Sequence, residues 1–376
     1  MTMTQAYSPG LEGVIAGETT LSFVNPERNS LMYLGFDIRD LVDKACYEEV
    51  AYLLLYGNLP TPDAYQRFCQ ELKQERNVPA EVLNHITQLP KTMNLMDGLR
   101  TAVSILSFYD ADVANNSHEA NVRKATRLVA KMPTLVAACY RHTQGQAFIA
   151  PNSALDHASN ALYMILGTEP DAETARLFDM TLTCYADHGF NASTFAGRVT
   201  TSTLSDMHSG IVSAIGTLKG PLHGGANEEA MHMLLDIGTP DKAEAYVRTA
   251  MANKKKLMGF GHRAYKTGDP RAMLLSEKAE ALCQRTNTQH WHEIARIVTN
   301  IMVNEKGIHP NVDFPTAYIY YIMGLPIPIY TPIFALARVA GWAAHIIEQL
   351  DNNRLIRPKA LYTGPQHLPY VPMSQR

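Results

Sequence analysis

The chain has 376 residues, with 33 Lys and Arg against 36 Asp and Glu, for a net charge of −3. That length suits two domains or one large body with a smaller one attached, and the charge balance speaks against a bulk electrostatic attraction to nucleic acid or an anionic bilayer. Hydrophobic residues make up 46% and charged ones 18%, below the usual quarter or so, which predicts much buried surface and an oligomer.

Five scattered cysteines (Cys46, Cys69, Cys139, Cys184, Cys283) form no C-x-x-C. They fit a reducing compartment and a cytoplasmic protein, with neither a disulfide scaffold nor a zinc-thiolate site. Residues 1–10 have no apolar run, so no secretory signal is expected.

In chain order, alternating apolar patches around Asn25-Pro26 predict a short hairpin within 21–35, the one β signal. Helices follow over 47–56, 62–76, 80–88 and 97–108. A long helix over 122–142 is expected to be interrupted at Pro133. Ser153 opens and Gly167 closes the next, and further helices cover 171–186, 193–202, 207–218, 224–235 and 242–253. Amphipathic segments over 271–285 and 291–304 come next. Residues 317–337 carry no charge, yet Gly324, Pro326, Pro328 and Pro332 break them, which predicts two buried helices and not a membrane span. Thr331-Pro332 reads as an N-cap and N1 pair before the strongest helix, 333–350. The expectation is a mainly α, multilayer body with a minor N-terminal hairpin.

Chemistry concentrates in a few stretches. Residues 259–271 read G-F-G-H-R-A-Y-K-T-G-D-P-R, placing His262 among glycines and cations, as an anionic ligand that approaches the backbone requires. Residues 220–229 read G-P-L-H-G-G-A-N-E-E. There His223 either simply caps or packs a helix start, the commoner case for a lone histidine, or is held neutral by that helix's positive end, which disfavours its protonation. A neutral histidine so held can donate to a developing enolate, a role for which triosephosphate isomerase is the worked case. Asp313, in P-N-V-D-F-P-T, is either a plain N-cap or a general base, with burial raising its basicity and the helix end lowering it, so that the sequence leaves the net sign open. His188 lies in a polar break between helices, as either a ligand-binding donor or a satisfied core histidine. Arg338, on an apolar helix, needs an anionic partner such as a dicarboxylate, and Arg357 follows it in the tail.

Together and in order, the P-L-H-G-G-A-N, G-F-G-H-R-x-Y-K-x-x-D-P-R and N-V-D-F motifs resemble those of citrate synthases along nearly the whole chain. The short bacterial and archaeal type and the related 2-methylcitrate synthases are most similar. The resemblance implies a two-domain helical fold, with a large domain of residues 1–220 and 325–376 and a small one of 221–324 that close on each other. It implies an acyltransferase that condenses acetyl-CoA with oxaloacetate and hydrolyses the thioester, giving citrate and CoA.

Asp313 is then the base, His223 the donor to the thioester oxygen and His262 the acid at the ketone. His188, Arg271, Arg338 and Arg357 hold carboxylates, with Arg357 reaching the partner's site in a homodimer or larger oligomer. Lys254, Lys255, Lys256, Arg263 and Lys266 are candidates for the CoA phosphates; the first three are equally a solvated run. No metal or other cofactor is implied, the CoA thioester being substrate, and no nucleic acid or membrane partner. The glycines of 259–268 read as room for substrate.

The chain departs from many relatives at Asn94-Leu95, Asp187 and Pro315-Thr316. Phe314-Pro315-Thr316 resembles some 2-methylcitrate synthases, which keeps propionyl-CoA open as the acyl donor. A helical protein that binds dicarboxylates or CoA without catalysis is the third reading. The intact His223, His262 and Asp313 set opposes it.

Overall fold

The computed structural model describes residues 7–376 apart from Pro26, Arg263 and Lys266. Its sheet is antiparallel in the order β1 (Ser22–Asn25), β2 (Ser30–Tyr33), β3 (Phe36–Asp37). The expected hairpin is β1 and β2, with Ser22 opposite Tyr33. The added β3 has two residues, too few for alternation to register. Asp37 then caps α1 (Ile38–Lys44) through the Arg39 N–H, a seven-residue helix that the sequence reading passed over.

Helices α2 (Tyr47–Tyr56), α3 (Pro62–Glu75), α4 (Ala80–Gln88) and α5 (Leu95–Leu106) form where expected. Gly57 closes α2 at φ 80°, Thr61 caps α3 with proline at N1, and Asn94 caps α5. Helix α6 (His118–Thr143) corrects the expectation at Pro133: the helix runs through it without interruption. Pro133 is buried, and the packing of its neighbours outweighs one missing backbone bond. The next start is corrected as well. Asp156, not Ser153, accepts the Ser159 N–H and opens α7 (His157–Leu166). Asp171, Asn191 and Asp206 cap α8 (Ala172–Tyr185), α9 (Ala192–Thr201) and α10 (Met207–Leu218).

Five helices follow: α11 (Ala226–Ile237), α12 (Pro240–Ala252), α13 (Pro270–Thr286), α14 (Gln289–Lys306) and α15 (Asp313–Ile322). They pack chiefly on one another and meet the rest mainly through α11, against the long α16 (Tyr330–Asp351), and α13, against α1 and α8. Helix α16 is the spine. It touches α2, α5, α6, α8, α9 and α10, and only Glu348, Leu350 and Asp351, at its C-terminal end, are not fully buried. Residues 327–351 are long and apolar enough to cross a bilayer, but 89% of their most apolar window is covered by the protein's own core. Residues 352–376 leave the core as an extended, largely exposed tail.

The N-cap expectation at Thr331 is corrected too. Ile329 holds the N-cap position without a side-chain bond, and Thr331 lies inside the first turn of α16.

Candidate active site

The site forms where the C-terminal end of α8, the turn after it, the starts of α11 and α15 and the middle of α16 converge. Tyr33, buried on β2, pins that turn: its hydroxyl donates to the Asp187 carbonyl at 2.9 Å and accepts the Asp187 N–H at 3.2 Å. Asp187 in turn lies 3.1 Å from Nε2 of buried His345 on α16. Burial opposes its charge, but His345 and Arg338 hold the carboxyl down at about 2. His188 follows, its Nε2 3.3 Å from the Tyr265 hydroxyl and its ring edge-on to His262 at 4.9 Å. Burial, then the cations Arg271 and Arg338 and the His262 ring, push its pKa well below the usual value, so it is neutral.

The loop that carries His262 is laced to the start of α15. Gly261 N–H donates to His309 O at 2.8 Å, Asn311 N–H to Gly259 O at 2.9 Å and Asn311 Nδ2 to Gly261 O at 3.1 Å. Gly259 sits at φ 81°, and a Cβ there would lie 2.9 Å from Cβ of Phe314. Gly268 faces His309. The space at Gly259 is therefore filled by the protein's own Phe314, whereas Gly261 and Gly268 meet only ordinary contacts and line the cavity beside His262.

Nδ1 of His262 accepts the N–H groups of Ala264 (3.0 Å) and Tyr265 (3.3 Å), so its proton resides on Nε2. At His223 the order is reversed. Nε2 accepts the Ser193 N–H at 3.3 Å and lies 2.8 Å from the Ser193 hydroxyl, leaving the proton on Nδ1. Burial first, then Arg271 for His262 and Arg338 for His223, lowers both pKa values to about 4. Both rings are neutral donors at neutral pH.

Asp313 is the first residue of α15 and does not cap it. Its own N–H is capped by the Asn311 side chain at 3.1 Å, while its carboxylate accepts the Tyr185 hydroxyl at 2.7 Å. The N-cap alternative is thereby corrected. Burial raises the Asp313 pKa to about 6, although Tyr185 and Arg271 pull the other way.

Arg338 is buried and gives its Nε–H to the Tyr185 carbonyl, with its guanidinium 4.7 Å over the Phe334 ring. Burial works against its charge, and Asp187 offsets part of that cost. Its terminal nitrogens have no hydrogen-bond partner among the described residues. Arg271, also buried, is already held: Nε and Nη2 donate to Asp269 at 3.0 and 2.8 Å, and Nη1 to Cys184 O at 3.3 Å. Asp269 also accepts the Val312 N–H at 3.2 Å, which joins this pair to the Asp313 turn.

The structure thus brings His188, His223, His262, Arg271, Asp313 and Arg338 together. It leaves Arg357 exposed in the tail and Lys254, Lys255 and Lys256 exposed after α12, where Lys255 Nζ lies 5.9 Å over the Tyr246 ring. Arg263 and Lys266 lie outside the described residues. A cavity of about 280 Å³ beside His262 is lined by Gly261, Tyr265, Asp269, Ile308 and His309 among others. Sequence reasoning missed Tyr185 and Ser193, which bond the Asp313 carboxylate and the His223 imidazole. Nothing local marks Tyr185, and Ser193 reads as an ordinary first-turn serine.

The family described as "Citrate synthase, C-terminal domain" matches residues 10–359. A citrate synthase of Haloferax volcanii is 46% identical over the full length of both chains. A 2-methylcitrate synthase of Corynebacterium glutamicum is 42% identical over 98% of each. Among solved structures, the ternary complex of carboxymethyl coenzyme A and oxaloacetate with the Thermoplasma acidophilum citrate synthase superposes at a TM-score of 0.94 with 36% identity, covering 99% of this chain and all of that one. With this match over almost its whole length, on a fold and a set of motifs that agree with it, the chain belongs to the citrate synthase family and is an acyltransferase.

Proposed function

We propose that the chain condenses acetyl-CoA with oxaloacetate in three steps carried by side chains alone. Asp313 takes a methyl proton while His223 Nδ1–H binds the thioester oxygen on which charge develops. The methyl carbon attacks the ketone of oxaloacetate, whose oxygen receives the proton of His262 Nε2. Water then cleaves the citryl thioester, releasing citrate and CoA. The observation that carries this reading is the pair of neutral imidazoles with protons on opposite nitrogens beside a carboxylate of raised pKa. Carbon acids are weak, and a base succeeds only with such donors acting at the same moment.

Arg338, with terminal nitrogens unbonded among the described residues, takes a carboxylate of oxaloacetate, with His188 and Arg271 beside it. Arg357, remote in one subunit, completes the site of a partner in a homodimer. Lys254–256, Arg263 and Lys266 face the CoA phosphates. Helices α11 to α15 move as a small domain, 221–324, whose closure excludes water until the carbon–carbon bond is made. The five unpaired cysteines suit a cytoplasmic enzyme.

The test is thiol release with oxaloacetate and each acyl-CoA. Turnover of acetyl-CoA that disappears in Asp313→Ala is the expected result; unchanged release in that variant overturns the assignment. Phe314-Pro315-Thr316, together with relatives named 2-methylcitrate synthase, favours propionyl-CoA as a second donor. A higher kcat/KM for propionyl-CoA would make it the principal one.

A further inference from the structure

Two helices that meet beside His223 each lack a cap of their own. The N-cap position of α11 is Gly225, which has no side chain to offer, and that of α16 is Ile329, whose side chain makes no bond. Glu228 is the third residue of α11, where a glutamate ordinarily reaches back to its own N-cap. Here it turns to the other helix. Its Oε1 accepts the Thr331 N–H at 3.2 Å, one of the first-turn donors that α16 leaves unpaired, and also contacts the Thr331 hydroxyl. The same hydroxyl lies 3.3 Å from the carbonyl of Gly224, the residue after His223.

One partly buried carboxylate therefore lies at the positive ends of two helices, and that arrangement offsets part of what its burial costs. Helix α11 follows directly from His223. Helix α16 carries Phe334, 6.3 Å from the His223 ring, and Arg338 one turn further on. Gly224 is itself held, its N–H donating to Leu218 O at 2.9 Å.

We infer that Glu228 and Thr331 are positioning residues that clasp α11 to α16 and set His223 at the thioester oxygen. Neither touches substrate. This rests on the role proposed for His223. The clasp acts on the acyl-CoA half of the site, so its loss separates the two substrates. Glu228→Ala and Thr331→Val each lower kcat/KM for acyl-CoA about tenfold or more, while the KM for oxaloacetate stays within about twofold. The double variant loses little beyond either single one, because the two side chains make one interaction. Thr331→Ser and Glu228→Gln, which keep the hydroxyl and the accepting oxygen, restore kcat/KM to within about threefold of the parent.

A second measurement isolates the first step: deuterium uptake from solvent into the methyl of acetyl-CoA, with a non-reacting oxaloacetate analogue bound, slows in parallel with kcat/KM. Unchanged kcat/KM in Glu228→Ala and Thr331→Val overturns the clasp. So does an equal loss for both substrates with a lowered Tm and no rescue by the conservative pair. Should Glu228→Ala fail to fold, Thr331→Val against Thr331→Ser decides by the same criteria. Parent activity that is independent of Asp313 would instead remove the catalytic reading on which the clasp rests.

Discussion

Asp313 owes its basicity to burial, and Tyr185 limits how far that goes. With a pKa of about 6 it is protonated, and idle as a base, below that pH. The rate with saturating oxaloacetate should therefore fall as pH drops through about 6, whereas His223 and His262, at about 4, stay neutral throughout that window. Tyr185→Phe removes the hydrogen bond that favours the ionised form, so the acid limb of the pH–rate profile moves to higher pH; a limb that stays put removes Tyr185 from this role. Ser193→Ala spares the N–H bond to His223 but not the hydroxyl contact, and it also deprives Trp342 Nε1 of its acceptor at 3.1 Å. We expect kcat to fall about three- to tenfold with KM for oxaloacetate little changed, by steady-state kinetics.

Among the elements, α8 and α16 show how closely the site depends on packing. A Cβ at Gly341 would lie 2.3 Å from Ala186 O and 2.6 Å from Asp187 Oδ1, so α16 can press against the turn before His188 only because that position is bare. Gly341→Ala should cost about 1–3 kcal/mol in a denaturant titration and raise the KM for oxaloacetate, through displacement of His188. Most helices were legible in the sequence, because capping residues and Gly57 or Gly167 leave local marks. The misses have a common cause. Pro133 and Thr331 were read by local propensity, yet the core around α6 and the Glu228 carboxylate decided their roles. The site shows the same division. Its histidines, arginines and Asp313 stand in recognisable strings, whereas Tyr185 acquires meaning only when α8 delivers it to a carboxylate 128 residues later in the chain.

For the whole molecule, the decisive residue is one that the single subunit leaves outside its site. If Arg357 serves a partner, two inactive variants can repair each other. Asp313→Asn and Arg357→Ala subunits, unfolded and refolded together in equal amounts, should regain about a quarter of parental activity. Half of the randomly formed dimers are mixed, and each mixed dimer holds one site with both defects and one with neither. Separate refolding should give none. Recovery absent from a mixture whose dimers are shown to be mixed would return Arg357 to an ordinary tail residue.

Tyr33 ties the small sheet to the turn that carries His188, through both backbone polar groups of Asp187. Strand and turn must therefore open together: the amide of Asp187 cannot exchange with solvent while β2 holds its tyrosine in place. Opening of the His188 turn and fraying of the N-terminal strands become one cooperative event, expected in hydrogen exchange as a shared opening free energy below that of the α6 and α16 core. A protease that nicks the β1–β2 turn would then silence the enzyme from a distance, without touching a residue that meets substrate.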